Sequence, residues 1–494
     1  MEKQRVCLII PPSPFLADER VFISLGPLKV AASLEKAGYP VDVLDLSGVG
    51  NYIDVVLDYA KNNDVNTFGL SATTPQMPNA KTIMEALRIA KPKVRLILGG
   101  AHPTVVNAAK KREEKRGIPG RAVSAFQKIL DISDVVVAGD GEIAIFPALQ
   151  PDAPRLIDGD DPDSQFFLSA EGLGELPPPA RHLVDLSSYH YSISGVPACS
   201  FIMQLGCSFG CRFCSGRLSP SFRRVRIRGI DSVIDEIRGI YQAYKFRGYM
   251  MYDDELNINP NMISDLNAIC DLQDELGETF AFRGFIKANL FTEPQAEAMK
   301  RAGFKEMCVG FESGSPRILQ NIKKQSTVEQ NTRCVEIAKK YDMRIKGFCS
   351  VGHAGETEET IGQTNDWLLN VGVDDFDLTI ISSFPGTPYH DDAVHYKDDI
   401  WVYQTPENGD RLYAQEVDYT QTAEYYKGQI EDGYRSYVFT DALSQDEIVK
   451  LRDWTERNVR GKLKIPFYQT KAAMLYDHSM GQIPHQILRG SAGE

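Results

Sequence analysis

Short apolar runs alternate with stretches of helical spacing along most of the chain. Val6–Ile10 is apolar throughout and is stopped by Pro11-Pro12; residues 25–37 then carry a helical pattern as far as Gly38. Val41–Leu46 and Thr67–Ser71 are the next strands, residues 79–90 the next helix, and Arg95–Leu98 and Val135–Ala138 two further strands. Apolar strands joined by helices predict a parallel sheet covered on both faces. Three of the strands end in small residues: Ser71-Ala72-Thr73-Thr74, Gly99-Gly100-Ala101-His102-Pro103-Thr104 and Gly139-Asp140-Gly141-Glu142. Such ends let a ligand approach the carboxyl edge of the sheet.

Residues 151–198 break the alternation. They are rich in Pro, Asp and Gly, include Pro177-Pro178-Pro179, and read as a linker. The pattern resumes with a strand at Ser200–Leu205 and a helix marked by Val233, Ile234, Ile237, Ile240, Tyr241 and Tyr244. Strands at 248–252, 280–287, 306–311, 344–351 and 375–382 follow, with helices at 260–275, 293–302, 327–341 and 357–370 between them. Six strand–helix units are too few for a closed eightfold barrel and predict a partial one, with working loops at the C-terminal strand ends. The tail after Pro385-Gly386-Thr387-Pro388 is rich in tyrosine and is expected to pack against the open end of the barrel. Ser444 with Glu447 gives it a capping box. The expected organisation is therefore a doubly wound α/β domain over 1–150, a linker over 151–198, a (β/α)6 partial barrel over 199–390 and a small mixed α/β domain over 391–494.

Composition is that of an ordinary globular protein, with 43% hydrophobic and 24% charged residues in 494. The formal charge of -13 argues against a nucleic-acid binder. The one basic run, Arg223, Arg224, Arg226 and Arg228, reads as a solvated face, or as one or two arginines that bind a carboxylate or phosphate. No apolar stretch reaches the roughly 20 residues of a membrane span. Nine cysteines without an export signal point to reduced thiols in the cytoplasm rather than to disulfides.

Three of those cysteines, Cys207, Cys211 and Cys214, stand in C-x3-C-x2-C spacing after the Ser200–Leu205 strand. Three thiolates so placed can bind three corners of a four-iron cluster and leave the fourth iron open. A structural zinc site needs four ligands, and the nearest histidines, His182 and His190, lack finger-like spacing. A metal-stabilised scaffold without activity would be the outcome of that reading.

The cysteine run, with Phe213 before its last member, resembles the signature of the radical S-adenosylmethionine superfamily. The strand ends resemble it too: Asp253-Asp254-Glu255, Gly310-Phe311-Glu312-Ser313-Gly314 and Gly352-His353-Ala354-Gly355. The resemblance covers roughly 199–390. It implies that Cys207, Cys211 and Cys214 hold a [4Fe–4S] cluster. It also implies that Phe213, Asp253, Asp254, Glu255, Glu312, Ser313 and Gly352 surround S-adenosylmethionine, with an acidic residue on the amino group and Glu312 near the ribose. The α/β domain ahead of the barrel is similar to that of the cobalamin-dependent members, which include anaerobic magnesium-protoporphyrin cyclases and several C-methylases. That likeness places Ser71, Thr73, Gly99, Gly100, His102, Gly139, Gly141 and Glu142 around cobalamin. The D-x-H-x-x-G motif of other cobalamin proteins is missing; Asp18-Glu19-Arg20 stands in roughly that loop and offers no imidazole. The implied activity is methylation of an unactivated carbon of a small molecule, or else a cyclisation or rearrangement without methyl transfer. An external electron donor of the flavodoxin or ferredoxin type is implied as well.

Overall fold

The computed structural model describes residues 3–13, 16, 19–21, 23–117, 120–425, 433–469 and 474–476. Asp18 lies outside them; Glu19 and Arg20 are committed to neighbouring backbone and to Asp45.

Strands β1 (Val6–Ile10), β2 (Val41–Asp45), β3 (Thr67–Ser71), β4 (Arg95–Gly99), β5 (Val135–Gly139) and β6 (Leu156–Gly159) form one parallel sheet in the order β2-β1-β3-β4-β5-β6. The sheet has one strand more than expected. β6 comes from the stretch read as linker and pairs with β5, with Gly139 opposite Gly159. Helices α1 (Leu25–Lys36) and α6 (Gly141–Ala148) cover one face, packing Leu34, Ala31 and Ile145 on Val6, Leu8, Ile97 and Val137. Helices α2 (Tyr52–Asn62), α3 (Met77–Ala90), α4 (Ala101–Arg116) and α5 (Arg121–Ile132) cover the other, over Cys7, Ile9, Phe68 and Val136. The chain runs outward from β1 in both directions, and such a reversal opens a crevice at the strand ends.

The second sheet has the order β15-β14-β13-β12-β11-β8-β7. Its six parallel strands are β8 (Val196–Phe201), β11 (Gly248–Met251), β12 (Ala281–Ile286), β13 (Phe304–Glu312), β14 (Arg344–Val351) and β15 (Asp375–Ile380). β7 (Ser192–Ile193) joins through a two-residue hairpin at Ser194 and Gly195, both at positive φ. Short strands β9 (Gln204–Leu205) and β10 (Arg226–Ile227) pair antiparallel on either side of the cysteine loop. The barrel helix Ile230–Tyr244 buries Val233, Ile237 and Ile240 as its spacing predicts, while Tyr244 stays partly exposed.

The tail has two parts. Strands β16 (Val394–Lys397), β17 (Ile400–Gln404), β18 (Arg411–Gln415) and β19 (Val438–Thr440) make an antiparallel sheet. The helix Gln445–Leu463 starts at the expected Ser444–Glu447 capping box and lies along β15. Its side chains satisfy the outer edge of that strand. Glu456 accepts from Leu378 N–H, Arg452 donates to the Leu378 carbonyl at 2.8 Å, and Arg460 donates to the Phe376 carbonyl. This helix occupies the place of a sixth barrel helix.

Candidate active site

The loop bearing Cys207, Cys211 and Cys214 leaves β9 and closes in a 3-10 turn at Ser215–Leu218. It is fastened from several sides. Cys207 N–H donates to the Phe222 carbonyl and Arg212 N–H to the Ile322 carbonyl, each at 2.9 Å. The Arg212 guanidinium grips Glu407 in a fork, and Arg223 donates to the carbonyls of Ser208 and Phe209. Gly206 enters the loop at φ +91, where a Cβ would lie 2.6 Å from the Arg224 carbonyl carbon, so a side chain has no room. All three thiols are free; Cys211 is buried, Cys207 half-buried and Cys214 exposed. Among the described residues no three His, Cys, Asp or Glu side chains gather as a single metal ion requires. Thiolates that bind separate corners of a four-iron cube need no such convergence, and three sulfurs on one braced loop fit that group.

The three acidic residues after β11 differ in their work. Asp253 is buried, and its Oδ1 accepts N–H groups from Met203 and Gln204 at 2.7 and 2.6 Å. Burial still pushes its carboxyl up to about 7. Asp254 Oδ2 accepts from Gly206 N–H at 2.7 Å. Both thus brace the strand that feeds the cysteines. Among the described residues the Glu255 carboxylate has no hydrogen-bond partner; burial raises it to about 7, opposed by Lys324 and Lys287. Of the trio it alone has neither carboxylate oxygen engaged by the described residues, although Asp253 Oδ2 is also buried without a partner.

A buried polar chain crosses the ends of β12, β13 and β14. Lys287 donates to the Lys324 carbonyl at 3.0 Å, and Lys324 Nζ pairs with Glu312 at 2.9 Å. Ser350 Oγ donates to Glu312 at 3.1 Å and lies 2.8 Å from His353 Nε2, whose Nδ1 is 3.2 Å from the Tyr389 hydroxyl. Glu312 sits at φ +67 beside a register shift in β13, which turns its carboxylate towards this chain. Gly310 makes room for the ion pair, since a Cβ there would meet Glu312 Oε1 at 2.7 Å and Lys324 Nζ at 2.9 Å. Burial lowers His353 to about 3, which keeps it neutral, and its ring meets Phe213 at 5.5 Å. The Ser313 hydroxyl is spent on Thr364 and on Ser315 N–H. Gly352 lies at φ +90 against Val438 of the tail sheet.

A cavity of about 260 Å³ lies between the first sheet and helices α1 and α6. Ser71, Gly99, Gly100, Gly139, Gly141 and Glu142 all line it. Two kinds of glycine do so. Gly100 and Gly139 have positive φ and backbone neighbours, with the Gly159 oxygen 2.6 Å from a Cβ at Gly139. Gly99 is not crowded, since its Cβ would meet nothing closer than 3.7 Å, so the missing side chain leaves room for a guest. Glu142 pairs with Lys29 at 2.6 Å, and this holds its carboxyl below the usual range although burial alone would raise it. Asp140 is pushed up to about 6 by burial and by Glu142, despite its pair with Arg226. An apolar cleft with a few polar groups at the carboxyl edge fits the tail of a bulky planar cofactor.

Comparisons with known proteins complete the picture. Residues 19–130 match the family model described as B12 binding domain, and residues 201–368 match that described as Radical SAM superfamily. The chain belongs to the cobalamin-binding radical S-adenosylmethionine enzymes. An uncharacterised methyltransferase of Pyrococcus horikoshii is 25% identical over 400 residues, 80% of this chain and 84% of that protein. The cytidylyl-2-hydroxyethylphosphonate methyltransferase of Streptomyces wedmorensis is 24% identical over 437 residues, 75% and 78% of the two chains. In fold, the radical S-adenosylmethionine methyltransferase TsrM of Kitasatospora setae, solved with cobalamin and a [4Fe–4S] cluster bound, superposes with a TM-score of 0.65. That match has 16% identity and covers 92% of this chain and 91% of the other.

The cofactors of this radical S-adenosylmethionine enzyme are a [4Fe–4S] cluster, S-adenosylmethionine and cobalamin. No helix among the described residues is long and apolar enough to cross a membrane. Two residues expected at the cobalamin loops lie away from the cavity. Thr73 caps the turn Thr74–Gln76 through Gln76, and His102 is buried in the first turn of α4, 3.1 Å from Thr74 Oγ1. His102 instead borders a separate cleft, shared with Tyr419 and Trp401 of the tail. The basic run is not a solvated face throughout: Arg226 is buried against Asp140, and Arg228 pairs with Glu236 at 2.6 Å. Nothing in the sequence singles out Lys287, Lys324, Ser350, Ser221 and Phe222, and Tyr389 shows there only as one of the tail tyrosines. None stands in a motif; a lysine buried among barrel strand ends is the one signal that could have been noticed.

Proposed function

We propose that this enzyme transfers a methyl group to an unactivated carbon of a small-molecule biosynthetic intermediate. One observation carries the reading: Phe222 lines the cavity that we assign to cobalamin while its carbonyl holds Cys207, so the two proposed cofactor sites would share a wall. The methyltransferase names of the relatives agree with it. In this reading Cys207, Cys211 and Cys214 hold the cluster, and Glu255 takes the ammonium of S-adenosylmethionine in a charge-assisted hydrogen bond. Asp253 and Asp254 keep the cysteine strand in place. Glu312, oriented by Lys324 and Ser350, faces the ribose; Ser313 and Gly352 shape the backbone beside it, and Phe213 packs there against neutral His353. Ser71, Gly99, Gly100, Gly139, Gly141 and Glu142 surround the cobalamin tail. When bound, the cofactors supply a carbon-centred radical and a transferable methyl group. The chain supplies rigidity, fixed charge and shelter from water. An external one-electron donor of flavodoxin or ferredoxin type completes the system.

The test uses anaerobically reconstituted protein with reduced cobalamin and S-adenosylmethionine labelled in its methyl group. Label should pass to the bound corrinoid, and from there to product when substrate is present. Turnover that releases deoxyadenosine with no label in corrinoid or product would replace this reading with a cyclase or rearrangement.

A further inference from the structure

The floor of the cobalamin cavity belongs to the first sheet, but part of its wall does not. Ile202, Leu205, Ser221 and Phe222 come from the barrel, on either side of the cysteine loop. The segment from Ser219 to Ile227 is built into both sites at once. On the cavity side, Asp160, just after β6, accepts from Ser219 Oγ at 2.6 Å and from Ser221 N–H at 2.9 Å. Arg226 reaches the cavity-lining Asp140 and also donates to the carbonyls of Ser221 and Leu168 at 2.7 and 2.8 Å. On the cysteine side, the Phe222 carbonyl holds Cys207 N–H, and Arg226 pairs in register with Leu205. Gly216, in the turn after Cys214, lies so close that a Cβ there would meet the Phe222 Cβ at 2.8 Å. Phe222 thus touches the cluster loop twice, through its carbonyl on Cys207 N–H and through its Cβ beside Gly216 in the turn after Cys214.

We propose that Phe222 is a positioning residue that couples cobalamin binding to the order of the cluster loop. The proposal rests on the cavity being the cobalamin site. A guest that holds the ring against the cavity wall holds the carbonyl on Cys207; an assembled cluster fixes the loop and so presents the ring to the guest. Such coupling is reciprocal, so each cofactor strengthens the equilibrium binding of the other by the same factor.

The experiment measures hydroxocobalamin affinity by equilibrium dialysis for cluster-loaded and iron-stripped protein, and the rate of iron loss to a chelator with and without hydroxocobalamin. The parent should bind hydroxocobalamin about fivefold or more tighter when the cluster is present, and should lose iron more slowly when hydroxocobalamin is bound. Phe222→Ala should bring both ratios to within about twofold of unity, and Phe222→Leu, which keeps an apolar side chain, should restore most of them. Equal affinities of the two parent forms would overturn the proposal without any variant, while leaving the cofactor assignment intact. Equal ratios in parent and Phe222→Ala would assign the coupling to other residues and overturn the role given to Phe222. Parent that binds no hydroxocobalamin in either form would remove the cavity assignment, and the proposal with it.

Discussion

Gly139→Ala is the sharpest probe of the B12-binding domain, because the cost can be worked from the backbone. Gly139 has φ +86 at the end of β5, a region that L side chains avoid at about 1–2 kcal/mol. A Cβ there would also press on Gly159 and Asp160, with the Gly159 oxygen at 2.6 Å. Those are backbone atoms at the end of the paired strand β6 and of the residue that follows it, so relief requires the strands to part, an overpacking cost of about 1–3 kcal/mol. The sum is about 2–5 kcal/mol, or a fall in Tm of roughly 4–20 °C for a unit of about 150 residues. Gly26→Ala is the matched control. Gly26 lines the same cavity in α1, but nothing lies within 4 Å of its Cβ, so the change should stay within about 1 kcal/mol. Thermal unfolding of the cobalamin-free proteins, followed by circular dichroism, gives the comparison. A Gly139→Ala protein that melts within 2 °C of its parent (about 1 kcal/mol or less) would refute the steric argument and the β5–β6 register behind it.

Replacing Cys207, Cys211 and Cys214 together by alanine should leave no iron or sulfide after anaerobic reconstitution; iron retained at parental levels would remove the cluster from this loop. Glu255→Gln should weaken S-adenosylmethionine binding about tenfold or more, the worth of one charged hydrogen bond, with iron content unchanged. Asp253→Ala should do the reverse and lower iron incorporation first, since two N–H groups in the segment that feeds the cysteine loop lose their acceptor. Burial raises Glu356 from 4.5 to about 7, so the folded state holds a proton that the unfolded chain releases. Its contribution to stability must then fall as pH rises from about 4.5 to 7. Glu356→Gln should flatten that part of a Tm–pH series and melt above its parent beyond pH 7 (linkage is saturated there); an unchanged slope would show that Glu356 ionises freely in the fold.

What could be read in the sequence follows from how local the signal is. β1 and β5 are almost wholly runs of buried apolar residues, and the cysteine spacing lies within eight residues of chain, so both stand out. β6 does not. Leu156-Ile157-Asp158-Gly159 offers two apolar residues at a sheet edge, amid Asp and Pro that suggest a linker. His102 looked like part of a strand-end turn because Gly99-Gly100 precedes it and Pro103 follows, but proline is tolerated in a first helical turn and α4 begins there. Arg226 and Arg228 are hidden for a different reason. Their partners, Asp140 and Glu236, lie in another domain and on the next helix, so the run shows only its like charge. Lys287, Lys324, Ser350 and Tyr389 meet only through the topology of the barrel.

The way β15 is finished bears on how the chain comes off the ribosome. An uncapped strand offers its amides and carbonyls to any passing partner. Here the relief arrives late, since Arg452, Glu456 and Arg460 are synthesised 74 to 84 residues after the groups they satisfy at Phe376 and Leu378. Until then the nascent half-barrel carries a raw margin, and shortening the chain before Gln445 would make that exposure permanent. Overproduction of such a fragment should yield inclusion bodies rather than a smaller working enzyme.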